Sequence, residues 1–550
     1  GIFCEPCTTE ISTTGVSAGD TLTFRLKYSQ PSSDFEQTVI TDYLPLPIFN
    51  AVTIGSFSNA VCGIPGNGTA CLGPADTYHS LVDPNPVVTP TMSTDAVNNT
   101  VSFTYPPYDS VNNTSSNIDL LFTVTVDNQP FADGLFLTNQ ANSTEGTTNA
   151  GSQALDTILQ IKIDEPLLIP TKSAVSTDST ATGVAFAPAI GAPLVFDIPG
   201  IVNGTPDWST DGTPGWTAGE VINSTYLAAN PINADLSGID GGDMIKFAIV
   251  IENRGHGIDG AFDIAIKDAK PTELDIPGSG LNLEVFLWDG TPIAFTDLGG
   301  SLFGSGIMLT DPGIPASGAC QAHDATSGQN IIIITYDLQL SGTGVMNPNI
   351  INTTTLLSYS SSEGGPNFVP SGVTDSARVT PATPALTKTI KATSEAHTSD
   401  VSNPPRAAIG EIVRYRLSIT LPEGLFTNFQ IDDNLPGGLV YMDDGTARAV
   451  IFSNGEGIFS ADVGTLPVPA IPGACMMIGD ETTAIPDPLP CALDDFNVGI
   501  NTSTAADTDT QASFTTGLDP QFKLGTLTNV DGDADRELII IEFNALVDNS

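Results

Sequence analysis

The sequence predicts an all-β protein: a row of antiparallel β-sandwiches carrying long loop insertions. Three observations predict it. Runs rich in Val, Ile, Thr, Phe and Tyr are closed repeatedly by Gly, Pro, Asn and Asp, and stretches suited to long helices are scarce. The clearest runs alternate with period two: in 412–419, Val413, Tyr415, Leu417 and Ile419 share one face, and Ile412, Arg414, Arg416 and Ser418 the other. The same strand is also written three times, as SAGDTLTFRLKYS (17–29), DGGDMIKFAIVIE (240–252) and AIGEIVRYRLSIT (408–420), each opened by Gly and an acid.

The elements follow in the same order in each unit. The Gly-acid pair is a turn that aims the first alternating strand, with Leu22, Phe24 and Leu26 inward in the first copy. A second strand ends in Asp before a turn: VITDYLPLPIF (39–49), IAIKDAKPTEL (264–274) and FQIDDNLPGGLVY (429–441). A late apolar strand comes next, at 118–128, 331–340 and 537–549. In the first two units it is followed by LTNQANSTEG (137–146) and IINTTTLLSYSSSEG (350–364). Strands with one apolar face must close in pairs of layers, so each unit is expected to be a sandwich. Pro166 and the TPATP segment (380–384) mark the boundaries, which gives units at 1–165, 166–382 and 383–550. The insertions 186–240, 275–325 and 445–525 are expected in surface loops. The third unit is expected to stop before its last strand. The 550 residues then read as a piece of a longer repetitive chain, or as a unit completed by a strand from a neighbour.

Composition narrows the function. Hydrophobic residues make up 40%, enough for real cores, and 63 Asp+Glu against 17 Lys+Arg give a formal charge of -46. Such a surface repels phosphate backbones and anionic membranes and suits divalent cations, a salty exterior or simple solubility. No stretch reaches the ~18 apolar residues of a membrane helix. If the protein is exported, its leader and anchor are expected to have been removed or to lie outside this sequence. Two cysteine pairs flank loops that could close on themselves, Cys62 with Cys71 and Cys475 with Cys491, and are expected to form disulfides. Cys4 and Cys7 have redox spacing without a βαβ context, and Cys320 is left over.

At the Gly-acid strands, the Asp-x-Leu-Pro turns and the late LGTLTN strand (524–529), the sequence resembles the tandem repeats of large prokaryotic surface proteins. Those repeats are related to the isopeptide-forming domains of fimbrial subunits. The third unit matches best, through 409–441 and 524–549. The resemblance implies Ig-like sandwiches in an exported stalk, fibre, sheath or surface layer, without catalysis. Some relatives join a first-strand Lys to a last-strand Asn beside a buried acid. By that resemblance Lys172 and Lys388 stand in first strands and Asn352 and Asn139 in last strands, while the first unit has no Lys before Gly19. The reaction needs an uncharged buried Lys; a Lys that snorkels to the surface is the plainer alternative.

Other candidate chemistry is local. In NVDGDADRE (529–537), Asp531, Asp533, Asp535 and Glu537 alternate and could wrap one structural Ca²⁺; a solvated turn between two strands is the plainer reading. Weaker acidic turns occur at GIDGGD (238–243) and DWSTDGTPGW (207–216), where Trp208 and Trp216 could stack a sugar or merely pin the loop. Asn67, Asn98, Asn112, Asn113, Asn142, Asn203, Asn223, Asn352 and Asn501 each begin an N-glycosylation sequon. The four His residues are scattered, and nucleophile-elbow, P-loop and zinc-protease motifs are missing. The expected function is therefore an extracellular or cell-surface structural repeat protein, not an enzyme. Its partners would be neighbouring copies or the rest of a longer chain, with no nucleic acid and no membrane insertion in this segment. The alternatives are a calcium-dependent adhesin binding glycan or protein through its loops, and a glycoside-active enzyme with accessory sandwiches.

Overall fold

The structure is a computed structural model. It describes residues 15–549 apart from 31–35, 55–60, 63–70, 73–76, 84–87, 109–114, 148–149, 180–182, 189–200, 203–204, 207–221, 230, 313–316, 343–346, 348, 397, 399–405, 454–457, 461–475, 481, 493–518 and 530–535. Its architecture is all-β, with largely antiparallel sheets facing each other in three successive sandwiches. The helix Ser224–Ala229 is a short exception, and among the described residues no helix is long and apolar enough to cross a membrane.

The three copies of the opening strand occupy the same place in each sandwich. Thr21–Gln30 pairs with Ser116–Thr125, Met244–Asn253 with Ile331–Leu340, and Ile412–Leu421 with Glu537–Val547. The Gly-acid pair has a geometric reason. Gly19, Gly242 and Gly410 have φ of 86°, 99° and 88°, the left-handed region in which a side chain is strained. Each donates its N–H to the end of the late strand, at Val126, Leu340 and Val547 O, over 2.8–2.9 Å. The acid that follows folds back and accepts the backbone N–H three residues earlier. Asp20 takes Ser17 N, Asp243 takes Asp240 N and Glu411 takes Ala408 N, each at 2.9 Å. Glycine supplies the bend and the carboxylate satisfies the orphaned donor.

Each sandwich has its own core. In the first, Leu22, Phe24, Ile40, Phe103, Leu120 and Phe122 are buried between the layers; in the third, Leu417, Ile419, Ile451, Phe522, Ile541 and Phe543. The second core is the largest among the described residues and includes Phe247, Ile249, Ile264, Ile266, Ile334 and Tyr336. An aromatic pair recurs at one register position, with ring centroids 5.3–5.7 Å apart: Phe24 with Phe122, Phe247 with Tyr336, and Tyr415 with Phe543.

All three insertions depart from the expectation of surface loops. Within 186–240, Asp235–Ile239 joins the sheet beside Val373–Pro381, with Leu236 and Ile239 buried. Within 275–325, Glu284–Leu287 pairs with Ile331–Leu340, and Ile307–Leu309 joins the opposite sheet. Val285, Phe286, Leu302, Ile307 and Leu309 are buried there. Within 445–525, Arg448–Phe452 lies beside Glu537–Val547 with Ala449 to Phe452 buried. These segments widen the sheets by pairing along strands whose edges would otherwise be open.

Candidate functional site

The second sandwich buries a lysine. Leu168–Thr177 opens the unit and pairs with Met244–Asn253, placing Lys172 opposite Ile249. Period two turns Lys172 into the core, and its side chain is 0% exposed. The Phe247 and Tyr336 rings lie 5.5 and 5.4 Å from its Nζ. From the facing sheet, Phe262–Ala269 presents Asp268 and Ile350–Ser360 presents Asn352. Both are buried, at 2% and 0% exposure.

The four polar groups form one chain. Lys172 Nζ donates to Asp268 Oδ2. The Tyr336 hydroxyl donates to the same oxygen at 2.5 Å, and Asn352 Nδ2 donates to Tyr336 Oη at 3.0 Å. Asp268 Oδ1 and Asn352 Oδ1 have no hydrogen-bond partner among the described residues. The lysine and asparagine thus belong to opposite layers and meet through a shared acid and hydroxyl.

Burial sets the charge state. It pushes the Lys172 ammonium down to about 8, against the opposing pull of the Asp268 carboxylate. It also raises Asp268, although Lys172, Tyr336 and the backbone favour the anion. The Tyr336 phenol is raised well above its ordinary value, first by burial and then by Asp268. Both members of the pair are moved toward neutrality, where the amine is a nucleophile and the carboxyl can donate a proton.

The other sandwiches hold parts of the same arrangement. In the third, Lys388 pairs in register with Leu417, the position matching Ile249. Its Nζ donates to Asp433 Oδ1 at 2.6 Å and lies 4.2 Å from the Tyr415 ring centroid. Lys388 is a third exposed, and no asparagine from a facing strand completes the group among the described residues. In the first, Asn139 Nδ2 donates to Asp42 Oδ1 at 2.6 Å, and both are buried. Burial raises Asp42 to about 7, partly offset by the Asn139 hydrogen bond. This unit has the acid and the amide, but residues 1–19 contain no lysine. A different buried lysine, Lys246, meets Asp337 at 2.7 Å on the neighbouring strand of its own sheet, so that pair does not bridge the layers.

The remaining sequence candidates fall in several places. Asp531, Asp533, Asp535, Trp208 and Trp216 lie outside the described residues, as do Asn67, Asn112, Asn113, Asn203 and Asn501. Glu537 is buried at the start of the last strand, and Asn529 Nδ2 donates to its Oε2. Asn98 is exposed, and Asn142 and Asn223 are half-buried. Asn352 corrects its sequon reading: at 0% exposure inside the sandwich it has no room for a glycan. Cys62 and Cys71 face each other in the register of a two-stranded ribbon. Cys491 is buried in a short strand and Cys475 lies outside the described residues. Cys320 is buried as a free thiol.

Sequence reasoning did not assign Asp268, Asp433 or Tyr336. The recurrent Asp at the end of each second strand and the recurrent aromatic pair were the available signals. Asp263, Asp311 and Glu363 also bring carboxylate oxygens within 4.8 Å of one another. Asp311 and Asp263 already accept the N–H groups of Ala319 and Gly364, so the cluster anchors turns.

No family model matches the chain, and no curated protein matches it. Solved structures do. The chain is similar to the C-terminal domain of the Streptococcus pyogenes antigen I/II-family protein AspA, with 9% identity and a TM-score of 0.26, over 66% of this chain and 94% of that one. It is also similar to the T6 backbone pilin of S. pyogenes, described as a modular three-domain structure decorated with variable loops and extensions. That match has 9% identity and a TM-score of 0.21, over 94% of this chain and 97% of that one. A third is BcpA, the major pilin subunit of Bacillus cereus, with 9% identity and a TM-score of 0.21, over 55% and 63%.

Proposed function

We propose that this chain is a load-bearing segment of a cell-surface structural protein. Its second sandwich is locked by an amide bond between Lys172 and Asn352. The reading rests on one observation: a fully buried Lys172–Asp268–Tyr336–Asn352 chain that spans the two layers. A buried ion pair alone is a poor source of stability, because desolvation offsets most of the Coulombic gain. A covalent bond gives the same residues a purpose.

The chemistry balances without any co-reactant. Neutral Lys172 Nζ attacks Asn352 Cγ while the Asp268 carboxyl donates a hydrogen bond to Asn352 Oδ1, which carries the developing negative charge. Asp268 then moves the proton lost by Nζ to Asn352 Nδ2. The Cγ–Nδ2 bond breaks, ammonia leaves, and an Nζ–Cγ amide remains. Tyr336 holds both the acid and the amide in line, a positioning role. The bond forms once and does not turn over, so it is a maturation step of a structural protein. Partners of this kind of module are further copies or further units of a longer chain.

Intact-mass measurement tests the reading. The wild-type chain should weigh less than its sequence by one ammonia, and Lys172→Ala, Asn352→Ala and Asp268→Ala should each restore the unmodified mass. A folded wild-type protein at the full sequence mass would end the proposal.

A further inference from the structure

The turn that opens the second unit carries a carboxylate that the turn does not need. At the equivalent position the first and third units have Ser17 and Ala408, and the turn itself takes only a backbone N–H from each of the three, although the Ser17 hydroxyl also donates to Asp164 O and accepts from Ile258 N at 3.1 Å. In the second unit this residue is Asp240, at 0% exposure. Neither of its carboxylate oxygens accepts from an amide or hydroxyl among the described residues; what they meet are the carboxyls of Glu423 and Asp243. From the third sandwich, Glu423 reaches the same place, also at 0% exposure and with no amide or hydroxyl donor on either oxygen among the described residues. The two carboxyl groups stand close enough for one to hold the other's proton. The backbones are tightly apposed: a Cβ on Gly241 would meet the Glu423 Cβ at 3.1 Å and the Gly342 Cα at 2.6 Å.

Two further acids lie behind them, Asp243 at 3% exposure and Glu537 at 0%. Among the described residues, the cation facing this group is Arg536. Its Nε is 3.9 Å from Asp240 Oδ2, beyond hydrogen-bond reach, and its NH2 group donates to Gly238 O at 3.0 Å. One guanidinium cannot neutralise four buried carboxylates. Burial raises both carboxyls: Asp240 is pushed up further by Asp243 and held back by its hydrogen bond to Glu423, and Glu423 is pushed up further by Asp240. Hard oxygen donors with no His or Cys among them suit a cation of the calcium class.

We propose that Asp240 and Glu423, backed by Asp243 and Glu537, hold a divalent cation such as Ca²⁺ between the second and third sandwiches and so fix the angle of that junction. Asp240 and Asp243 belong to one unit and Glu423 and Glu537 to the next, so a bound ion ties the units together. The inference is independent of the amide bond in the second core.

The test uses the full chain, freed of metal by chelator and titrated with CaCl₂ in a calorimeter, with melting followed in parallel. Surface acids also bind calcium weakly, so the site is counted by difference. Asp240→Asn and Glu423→Gln should each remove one site or weaken it by more than about tenfold, while the exposed Asp275→Asn should leave the count unchanged. The melting curves should reverse sign. With calcium, Glu423→Gln melts below wild type; with chelator it melts at or above wild type, because it removes a buried repulsive charge. Equal calcium binding by wild type and both junction variants would overturn the proposal. So would a Glu423→Gln chain that melts lower under both conditions, which marks a purely structural side chain. A wild-type junction that ignores calcium and is stabilised only by acid would also overturn it, because the carboxyls then share a proton.

Discussion

Replacing the buried pair by apolar side chains separates a covalent lock from an ion pair. In Lys172→Met/Asp268→Val both charges leave together and neither is stranded. For an ion pair the exchange is neutral, or stabilising by about 1–4 kcal/mol, because two desolvation penalties vanish. For an amide bond the exchange opens a loop of about 180 residues, and releasing that constraint from the unfolded chain costs about 5 kcal/mol. At about 2–4 °C per kcal/mol for a domain of this size, the second sandwich should melt about 10–20 °C lower in the double variant. Differential scanning calorimetry reads the transition, and intact mass reports the bond in the same samples. A double variant that melts at or above wild type would refute the covalent argument, since removing a loop-closing bond cannot stabilise the fold.

Tyr336→Phe keeps the ring stack on Phe247 but removes the hydroxyl that links Asp268 to Asn352, so freshly expressed protein should contain a mixture of bonded and unbonded mass. Fully bonded protein at the earliest time point would show the hydroxyl to be dispensable. Glu165 is fully buried between the first two units, and burial, then Asp133 and Asp164, lifts its carboxyl from the ordinary range to about 8. The folded state therefore takes up a proton there. Its contribution to stability is intact at low pH and declines as pH rises toward about 8; chemical denaturation of wild type and Glu165→Gln should diverge over that window, with the variant the flatter. Parallel curves would contradict the burial argument. Leu417→Ala in the third core, at 1% exposure, should cost about 2–5 kcal/mol in denaturant unfolding. Peptide mapping without reductant should recover Cys62 joined to Cys71 and Cys475 joined to Cys491; alkylated thiols at those positions would rule the loops open.

The fold was legible because the strands repeat. Alternation in 408–420 fixed which side chains face inward, and Val413, Leu417 and Ile419 are buried as the period requires. The Gly-acid signature had a mechanism that only geometry displays: a left-handed glycine and a carboxylate folding back on a donor three residues earlier. Lys172 and Asn352 could be named from resemblance, but the groups between them could not. Asp268 and Tyr336 come from strands remote in sequence, and their relation to Lys172 exists only once the layers close. The insertions misled because a long segment between repeats looks like a loop until its own short apolar runs find an open sheet edge. Asp240 and Glu423 were hidden for a related reason. GIDGGD reads as an acidic turn, and nothing in it reveals that the next unit buries a glutamate against it.

Single-molecule extension tests the central claim most directly. If Lys172 and Asn352 are joined, force applied through the chain ends bypasses everything between them. Full extension of the second unit should then fall short by about 600 Å, at about 3.3–3.6 Å per residue over about 180 residues. Lys172→Ala should regain that length. A wild-type chain that releases the full contour of its second sandwich would contradict the account.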